Sequence, residues 1–197
     1  MLDIIEDCSD LKMGRDETCE PAFHLPSGVV EKLTAIRYHM RREDKKITDP
    51  EKLKKILREA KHITIAMAKE NEPYLVSLNH GYDEERDCLY FHCASEGKKL
   101  DYMRANNVVW GQALLDFGFG VATDDCHQDF ATVMFRGSVS FIEDLEEKRH
   151  AFLVTNRHLK APSEGLKRIL DENLERTTVG RISIEYMTGK KSKEVTI

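Results

Sequence analysis

Apolar and polar residues alternate with a period of two along six short stretches of the chain. The stretches lie at 63–67, 74–80, 88–93, 108–115, 132–141 and 179–186. A two-residue period is typical of half-buried strands, and short polar connections, such as the turn at 70–73, join several of these stretches. Because the strands follow one another without βαβ alternation, the pattern predicts a mainly β fold: a small antiparallel barrel of six strands with flanking helices.

Apolar residues at helical spacing predict four helices around this sheet. Within 48–60 they recur at i, i+3, i+4 and i+7, so one face of a helix there should be buried. Thr48 and Glu51 have the spacing of a capping box, and Pro50 suits the first turn of that helix. The other three helices are predicted over about 95–106, 145–156 and 164–174.

Charge and hydropathy argue against two classes of protein. The chain of 197 residues has 30 basic and 35 acidic residues and a formal net charge of -5. A nucleic-acid-binding protein normally has a basic surplus on one face, so we expect no nucleic-acid partner. No run of 18 apolar residues occurs, and the first ten residues lack the basic start and apolar run of a secretory signal, so we expect no membrane partner.

The cysteines and the local composition suggest a location and a domain organisation. The five cysteines form an odd set without a CxxC pair, which favours a reducing cytoplasm over a disulfide framework. We expect an N-terminal extension over 1–39, one domain over 40–190 and a C-terminal tail over 191–197. Apolar residues at helical spacing near the end of the extension are expected to pack on the domain or on a second subunit.

The segment 88–100, CLYFHCASEGKKL, has the pattern of a phosphate-binding strand-to-helix turn. Ser95 is a candidate N-cap, which would leave the amides of Gly97 and Lys98 pointing outward at the positive end of a helix dipole. Gly97 allows an anion to approach the backbone, and Lys98 and Lys99 add two ammonium groups. This combination suits a phosphate dianion, although a solvated pair of lysines has the same pattern.

Four segments taken in order resemble one known family. They are MRREDKKITDPEKLKKIL, PYLVSLNHGYDEE, LYFHCASEGKKLDYMRANN and MFRGSVSFIED. The chain from about Met40 to Lys190 resembles the FMN-binding split-barrel proteins related to pyridoxamine 5'-phosphate oxidase, and within them the 5-nitroimidazole reductase (Nim) type. The resemblance implies a six-stranded antiparallel split barrel and a homodimer with FMN in the cleft between subunits. An N-terminal extension and His80, where an aromatic residue is expected, depart from the family pattern.

The resemblance also implies a function and a set of site residues. It implies an oxidoreductase that uses NAD(P)H to reduce a small electron-poor substrate, such as a nitroaromatic or nitroimidazole compound, or a free flavin. It assigns the FMN phosphate and ribityl chain to Ala94, Ser95, Gly97, Lys98 and Lys99. It assigns the isoalloxazine edge to Val76, Ser77, Leu78 and Asn79. His92 matches the family's histidine close to the flavin and is the candidate catalytic residue.

Strand geometry supports part of this assignment and leaves His92 open. On the strand that contains 75–79, Ser77 and Asn79 share one face and offer hydrogen bonds to a polar heterocycle, or simply face solvent. His92 and Cys93 are adjacent on a strand, so their side chains point to opposite faces and cannot form a nucleophile–base pair. Cys93 is expected in the core. His92 is either a structural histidine or a proton donor beside flavin or substrate.

Two alternative functions and two weaker motifs complete the sequence reading. A haem-binding split barrel could use His80, His92 or His127 as axial ligand, and a non-enzymatic protein could bind flavin without turnover.

Adjacent Cys126 and His127 in the polar segment 124–129 cannot easily chelate one ion, so we expect a solvated acidic loop and no metal site. Gly118-Phe119-Gly120 lacks the third glycine of a dinucleotide fingerprint, so any nicotinamide cofactor would dock transiently over the flavin.

Overall fold

The alternating stretches form one antiparallel sheet in the computed structural model, which describes residues 40–119 and 128–197. The described strands are β1 (Lys46–Ile47), β2 (His62–Lys69), β3 (Glu72–Asn79), β4 (Gly81–Asp83), β5 (Cys88–Cys93), β6 (Val108–Phe119), β7 (Gln128–Ile142) and β8 (Thr178–Lys191). Their order is β3-β2-β6-β7-β8-β5-β4, and β1 pairs with β8. The mainly β antiparallel fold is therefore confirmed, with β1 and β4 as short strands beyond the six predicted.

The core lies inside the curved sheet. Inward-facing residues of β2, β3, β5, β6, β7 and β8 pack into one buried cluster together with two helices. Ile63 and Ile65 of β2 and Phe135 of β7 are completely buried in it, whereas the alternate residues of the same strands face outward. A sheet that buries one face and leaves the other accessible gives this alternation of apolar and polar positions.

The first helix, α1 (Pro50–Glu59), begins one residue later than the capping-box spacing predicted. The side chain of Asp49 caps it, since its Oδ1 accepts a hydrogen bond of 3.0 Å from the Glu51 amide. The predicted cap at Thr48 is wrong because Pro50 occupies the first helical position, which makes the preceding residue the N-cap. The buried face of α1 was predicted correctly, since Leu53, Ile56 and Leu57 pack into the barrel core.

Three further helices follow, and two of them cover one side of the sheet. The bounds are α2 (Lys98–Ala105), α3 (Leu145–Leu159) and α4 (Ser163–Arg168), with a π-helical turn over Ile169–Asn173 after α4. Asp144 caps α3, because its Oδ1 accepts a 2.8 Å hydrogen bond from the Glu147 amide. A second apolar cluster joins α3 to the sheet and includes Tyr90, Phe152 and Val179. None of the described helices is long and apolar enough to cross a membrane.

Gly81 allows α3 to lie directly against β4. A Cβ atom at this position would lie 2.6 Å from the backbone nitrogen of Thr155 and 2.7 Å from its Cα. Such distances are shorter than any ordinary carbon contact, so a larger residue would force the helix away from the strand. The close approach of backbone to backbone thus depends on the missing side chain of Gly81.

The β6–β7 hairpin extends beyond the rest of the sheet. Pairing between β2 and β6 ends at Ile63 and Ala113, whereas β6 and β7 continue to pair as far as Phe119 and Gln128. We call residues 114–119 of β6 and 128–130 of β7 the arm; the next residue of β7, Ala131, still pairs with Lys191 of β8 and is completely buried. The ladder thus continues past the strands predicted over 108–115 and 132–141. Residues 1–39 and 120–127, with the proposed acidic loop and His127, lie outside the described residues.

Candidate functional site

Helix α2 begins at Lys98, and its N-cap is Gly97 rather than Ser95. The φ of Gly97 is +132°, a value that excludes it from the helix and that residues with side chains rarely adopt. The amides of Leu100 and Asp101 donate to the Gly97 carbonyl at 2.9 and 3.3 Å. Within the described residues the amides of Gly97 and Lys98, which were predicted to point outward, have no hydrogen-bond partner, and neither has that of Lys99.

The two lysines of this turn, Lys98 and Lys99, point to different neighbours. The Lys98 ammonium lies 4.8 Å from the ring centroid of Tyr74 and 5.4 Å from that of Tyr102. Desolvation lowers the pKa of His92 at the end of β5, and the charge of nearby Lys99 lowers it further. Lys98 therefore joins the turn to β3, whereas Lys99 joins it to β5. We call residues 94–99 the cradle.

Strand β3 presents a polar outer face next to the cradle. Ser77 and Asn79 are exposed, whereas Leu78 is buried and Val76 is half-buried against the core, as the alternation predicted. Only the backbone of those two apolar residues remains for a ligand. In the part of the chain that the structure describes, β3 pairs with β2 alone, so one of its edges is open.

Polar side chains from neighbouring strands extend this face. The hydroxyls of Thr64 and Ser77 share a 3.4 Å hydrogen bond, and His62 Nδ1 donates to Asn79 Oδ1 at 3.3 Å. A cavity of about 550 Å³, which we call the outer cavity, lies against this face and part of the arm. Its lining residues are Glu59, Lys61, His62, Thr64, Ser77, Gln112, Leu114, Leu115, Asp116 and Phe117. Tyr74, whose ring lies beside the Lys98 ammonium, and Asn79 are five residues apart on β3. The distance between them along the strand is about 17 Å.

Sequence analysis did not name His62 and Thr64, which complete this face, although it placed the turn at 70–73 that sets their register against β3. Glu70 and Asn71 both have positive φ, at 51° and 65°, which is the geometry of a two-residue hairpin turn. Once that turn is placed, the register pairs Thr64 with Ser77. Tyr74 gave no such signal, because its alternation indicated only a core-facing residue and its contact with Lys98 crosses between elements.

His92 and Cys93 point to opposite sides of β5, as predicted. The His92 ring lies 5.1 Å from the Phe152 ring of α3, whereas Cys93 packs against the barrel core. Beside His92 is a mostly apolar cavity of about 350 Å³, the α3 cavity, whose other lining residues are Phe152, Thr155, Asn156, Leu159, Ala161, Pro162, Gly165, Leu166 and Ile169. The side chain of His92 is exposed, but desolvation by its neighbours, and then the charge of Lys99, lower its pKa from the ordinary value.

His80 is completely buried and hydrogen-bonded to the backbone. Its Nε2 donates to the Leu57 carbonyl at 3.0 Å, and Nε2 of His158 donates to the Ala60 carbonyl at 2.8 Å. Both carbonyls belong to the C-terminal end of α1, so the two histidines cap that helix. Burial lowers the pKa of His80 to about 4, and His158, whose ring centroid lies 4.2 Å away, adds to the shift. This arrangement excludes His80 as an accessible axial ligand for haem.

A separate polar cluster lies on the other side of α3, and sequence reasoning gave no account of it. His150 Nε2 donates to Asp83 Oδ2 at 2.6 Å, and both residues line a cavity of about 680 Å³. The carboxylate of Asp83 is buried and also accepts from the amides of Glu85 and Arg86. Burial opposes ionisation of Asp83, but these hydrogen bonds outweigh it and hold the pKa of the carboxyl below its usual value.

Comparison with known proteins identifies relatives of this arrangement. A family model described as pyridoxamine 5'-phosphate oxidase matches residues 49–191. Among solved structures, a candidate 5-nitroimidazole antibiotic resistance protein from Bacteroides thetaiotaomicron is 28% identical with a TM-score of 0.61, over 78% of this chain and 95% of that one. No curated protein matches the sequence.

Two more distant structures share the fold. The flavocytochrome Anf3 from Azotobacter vinelandii is 19% identical with a TM-score of 0.65, over 79% of this chain and 72% of that one. A candidate pyridoxamine 5'-phosphate oxidase from Listeria innocua is 16% identical with a TM-score of 0.51, over 73% of this chain and 98% of that one. The described residues of the chain contain no cluster of three metal-ligating side chains.

Proposed function

The chain belongs to the pyridoxamine 5'-phosphate oxidase family, and from that premise we propose that it binds FMN and works as a cytoplasmic, homodimeric oxidoreductase. It would reduce a small electron-poor substrate, such as a nitroaromatic or nitroimidazole compound, or a free flavin, with NAD(P)H as the electron donor. The observation that carries this proposal is the cradle: two unpartnered helix-start amides and two ammonium groups beside a polar strand face.

The cradle suits the phosphate of FMN. The free amides of Lys98 and Lys99 donate toward an anion at the helix start, and the φ of Gly97 exposes the backbone there. Ala94 and Ser95 are exposed on the approach to this turn. The ammonium of Lys98, held over Tyr74, and that of Lys99 then contribute charge from two sides. A phosphate dianion satisfies all four donors, whereas an uncharged ligand would leave them unused.

The outer face of β3 suits the ring system of the same cofactor. The span of about 17 Å from Tyr74 to Asn79 is of the order of the length of an extended flavin mononucleotide. Ser77 and Asn79 offer side-chain hydrogen bonds, and the open edge of β3 offers the backbone groups of Val76 and Leu78. Flavin bound there would supply the electron transfer, and the protein would supply position and electrostatics.

The α3 cavity beside His92 suits a small apolar molecule, and its lining shares no residue with that of the outer cavity beside the outer face of β3. The cavity joins apolar walls from Phe152, Leu159 and Ile169 to a few polar groups, which fits a small aromatic ring with a polar substituent. The lowered pKa of His92 favours the neutral imidazole, whose one ring N–H can donate to a nitro oxygen without adding a second full charge beside Lys99. His92 would thus hold such a molecule through a hydrogen bond at the cradle end of the cofactor.

Titration with FMN and with riboflavin tests the cofactor assignment. The two ligands share the ring and differ in the phosphate, so quenching of flavin fluorescence should give a much lower Kd for FMN. Lys98→Ala and Lys99→Ala should each weaken FMN binding by about 10- to 100-fold, the effect of one lost charge-assisted hydrogen bond. Riboflavin binding should change little, and Lys167→Ala, on the exposed surface of α4, is the matched control.

Equal affinity for FMN and riboflavin would show that the cradle does not bind the phosphate. The lack of any flavin binding would refute the cofactor assignment. A Soret band on haem titration would instead favour the haem alternative. Bound flavin that stays oxidised with NADH or NADPH under anaerobic conditions would favour the non-enzymatic alternative.

His92→Asn tests the substrate assignment separately. The variant should keep the Kd for FMN, because His92 faces the α3 cavity, and should raise KM for a nitroaromatic substrate by about tenfold through the lost hydrogen bond. An unchanged KM, or a loss of FMN together with activity, would contradict the role given to His92.

A further inference from the structure

Two tyrosine rings lie around the ammonium group of Lys98. Its Nζ is 4.8 Å from the ring centroid of Tyr74 and 5.4 Å from that of Tyr102. The two centroids are 5.3 Å apart, and the ring planes are inclined to each other by 53°. Both distances from Nζ fall within the roughly 6 Å over which the face of an aromatic ring attracts a cation. We call Tyr74 and Tyr102 the tyrosine seat.

The tyrosine seat is formed by two different elements of the fold. Tyr102 follows Lys98 by four residues on α2, so the two side chains lie on the same face of that helix. Tyr74 lies near the start of β3 and reaches Lys98 from the strand. Tyr102 is buried in the barrel core, and half-buried Tyr74 packs against the same core. Core packing therefore fixes both rings, and the rings in turn fix the position of the ammonium.

The tyrosine seat holds the Lys98 ammonium without neutralising it. Among the residues that the structure describes, no carboxylate lies within ion-pair distance of this group. A carboxylate partner would cancel the positive charge, whereas a tyrosine ring is uncharged and attracts a cation through the negative potential of its face. The full charge of Lys98 therefore remains available to an anionic ligand at the cradle.

A lysine that is held in this way binds an anion at a lower entropic cost than a mobile lysine. The side chain of lysine is long and flexible, and it loses this freedom when it closes on a ligand. Rings that restrict the side chain before the ligand arrives reduce that loss. The unpartnered amides of Lys98 and Lys99 are fixed by the helix start. The ammonium and the amides are thus both in position before an anion binds.

We propose that Tyr74 and Tyr102 are positioning residues of the cofactor site. They hold the Lys98 ammonium at the start of α2, so that the affinity of the cradle for the cofactor phosphate depends on two aromatic rings that do not themselves contact the phosphate. This inference rests on the proposed FMN site.

Tyr74→Leu and Tyr74→Phe form a matched pair for the test, because leucine removes the ring and phenylalanine removes only the hydroxyl. In the full-length protein, Tyr74→Leu should raise the Kd for FMN by about fivefold, the effect of one lost cation–ring contact. It should leave the Kd for riboflavin unchanged, which also shows that the variant is folded. Tyr74→Phe and Tyr102→Phe should bind FMN as the wild type does. A phenylalanine variant that binds as weakly as Tyr74→Leu overturns the proposal, since a hydroxyl would then bind the phosphate.

A double-mutant cycle tests whether the ring acts through Lys98. In a Lys98→Ala background the change Tyr74→Leu should alter the Kd for FMN by less than about twofold, since the ammonium that the ring holds is gone. In a Lys99→Ala background, which is the control, Tyr74→Leu should keep its full effect. An equal effect in both backgrounds overturns the positioning role.

NMR spectroscopy tests the tyrosine seat without any flavin. The Cε protons of Lys98, assigned by comparison with Lys98→Arg, should resonate upfield of those of the other lysines because they lie over two aromatic rings. Tyr74→Leu should reduce this shift. An unshifted Lys98 resonance in a protein that prefers FMN to riboflavin overturns the tyrosine seat alone. A shifted resonance in a protein with equal affinity for the two flavins refutes the proposed phosphate site instead, and with it the role of the rings in cofactor binding.

Discussion

His80 should make the stability of this protein fall steeply as the pH drops below neutrality. In the folded protein the imidazole is completely buried, its pKa is lowered to about 4, and the first cause is burial, with His158 as the second. In the unfolded chain an ordinary histidine has a pKa near 6.5. Between these two values the unfolded chain takes up a proton that the folded protein does not, so acid favours unfolding.

The size of the effect follows from the two pKa values. Each unit of difference corresponds to about 1.4 kcal/mol, so the full contribution of His80 is about 3 kcal/mol. It is present above the unfolded pKa of 6.5 and is lost as the pH falls through the folded value near 4. Between pH 7 and pH 4.5 the free energy of unfolding should therefore fall by about 2.5 kcal/mol on account of His80 alone.

His80→Gln isolates this contribution. Glutamine retains an N–H that can reach the Leu57 carbonyl, but it does not titrate. Urea unfolding followed by circular dichroism, at one protein concentration and at both pH values, should show that the wild type loses about 2.5 kcal/mol more than the variant. Equal losses for the two proteins would refute the reasoning, and so would an NMR titration of the His80 ring with a midpoint near 6.5.

Two glycines and one helix cap give further predictions, each measured by chemical denaturation. Gly81→Ala should destabilise the fold by about 1–3 kcal/mol through the clash with Thr155, whereas Gly165→Ala, where a Cβ meets nothing within 4 Å, should be neutral or stabilising. Gly97→Ala should cost about 1–3 kcal/mol because of the φ of +132°, and it should also raise the Kd for FMN. Asp49→Ala should cost about 1 kcal/mol by removing the cap of α1, and an unchanged midpoint would argue against that cap.

The long strands were predictable from sequence because each buries one face and so shows a two-residue period. Strands β1 and β4 have two and three residues, which is too short for any period to appear. The strand predicted over 108–115 stopped short of the end of β6 because the following residues, DFGF, do not alternate, and no alternation is needed where the hairpin leaves the core. Its ladder depends on cross-strand backbone hydrogen bonds, which side-chain patterns do not record.

The candidate site was predictable to the extent that its residues are adjacent in sequence. Ser77 with Asn79, and Lys98 with Lys99, followed from strand alternation and from a helix start. The cap moved by one residue at α1, from Thr48 to Asp49, and by two residues at α2, from Ser95 to Gly97, because the position of Pro50 and the conformation of Gly97 decide where each helix begins. The buried position of His80, which excludes it as a haem ligand, was not predictable, since its partners on α1 and α3 are distant in the chain.

The close packing of α3 on Gly81 has a consequence for the two spaces that flank this helix. One face of α3 bounds the α3 cavity beside His92, and another bounds the cavity that holds His150. The helix backbone lies directly on the strand at Gly81, so α3 separates the two cavities, and its distance from the sheet depends on the missing Cβ atom of Gly81. A tilt of the helix that enlarges one cavity narrows the other. A substitution that changes the size of one cavity by moving α3 therefore also changes the size of the other.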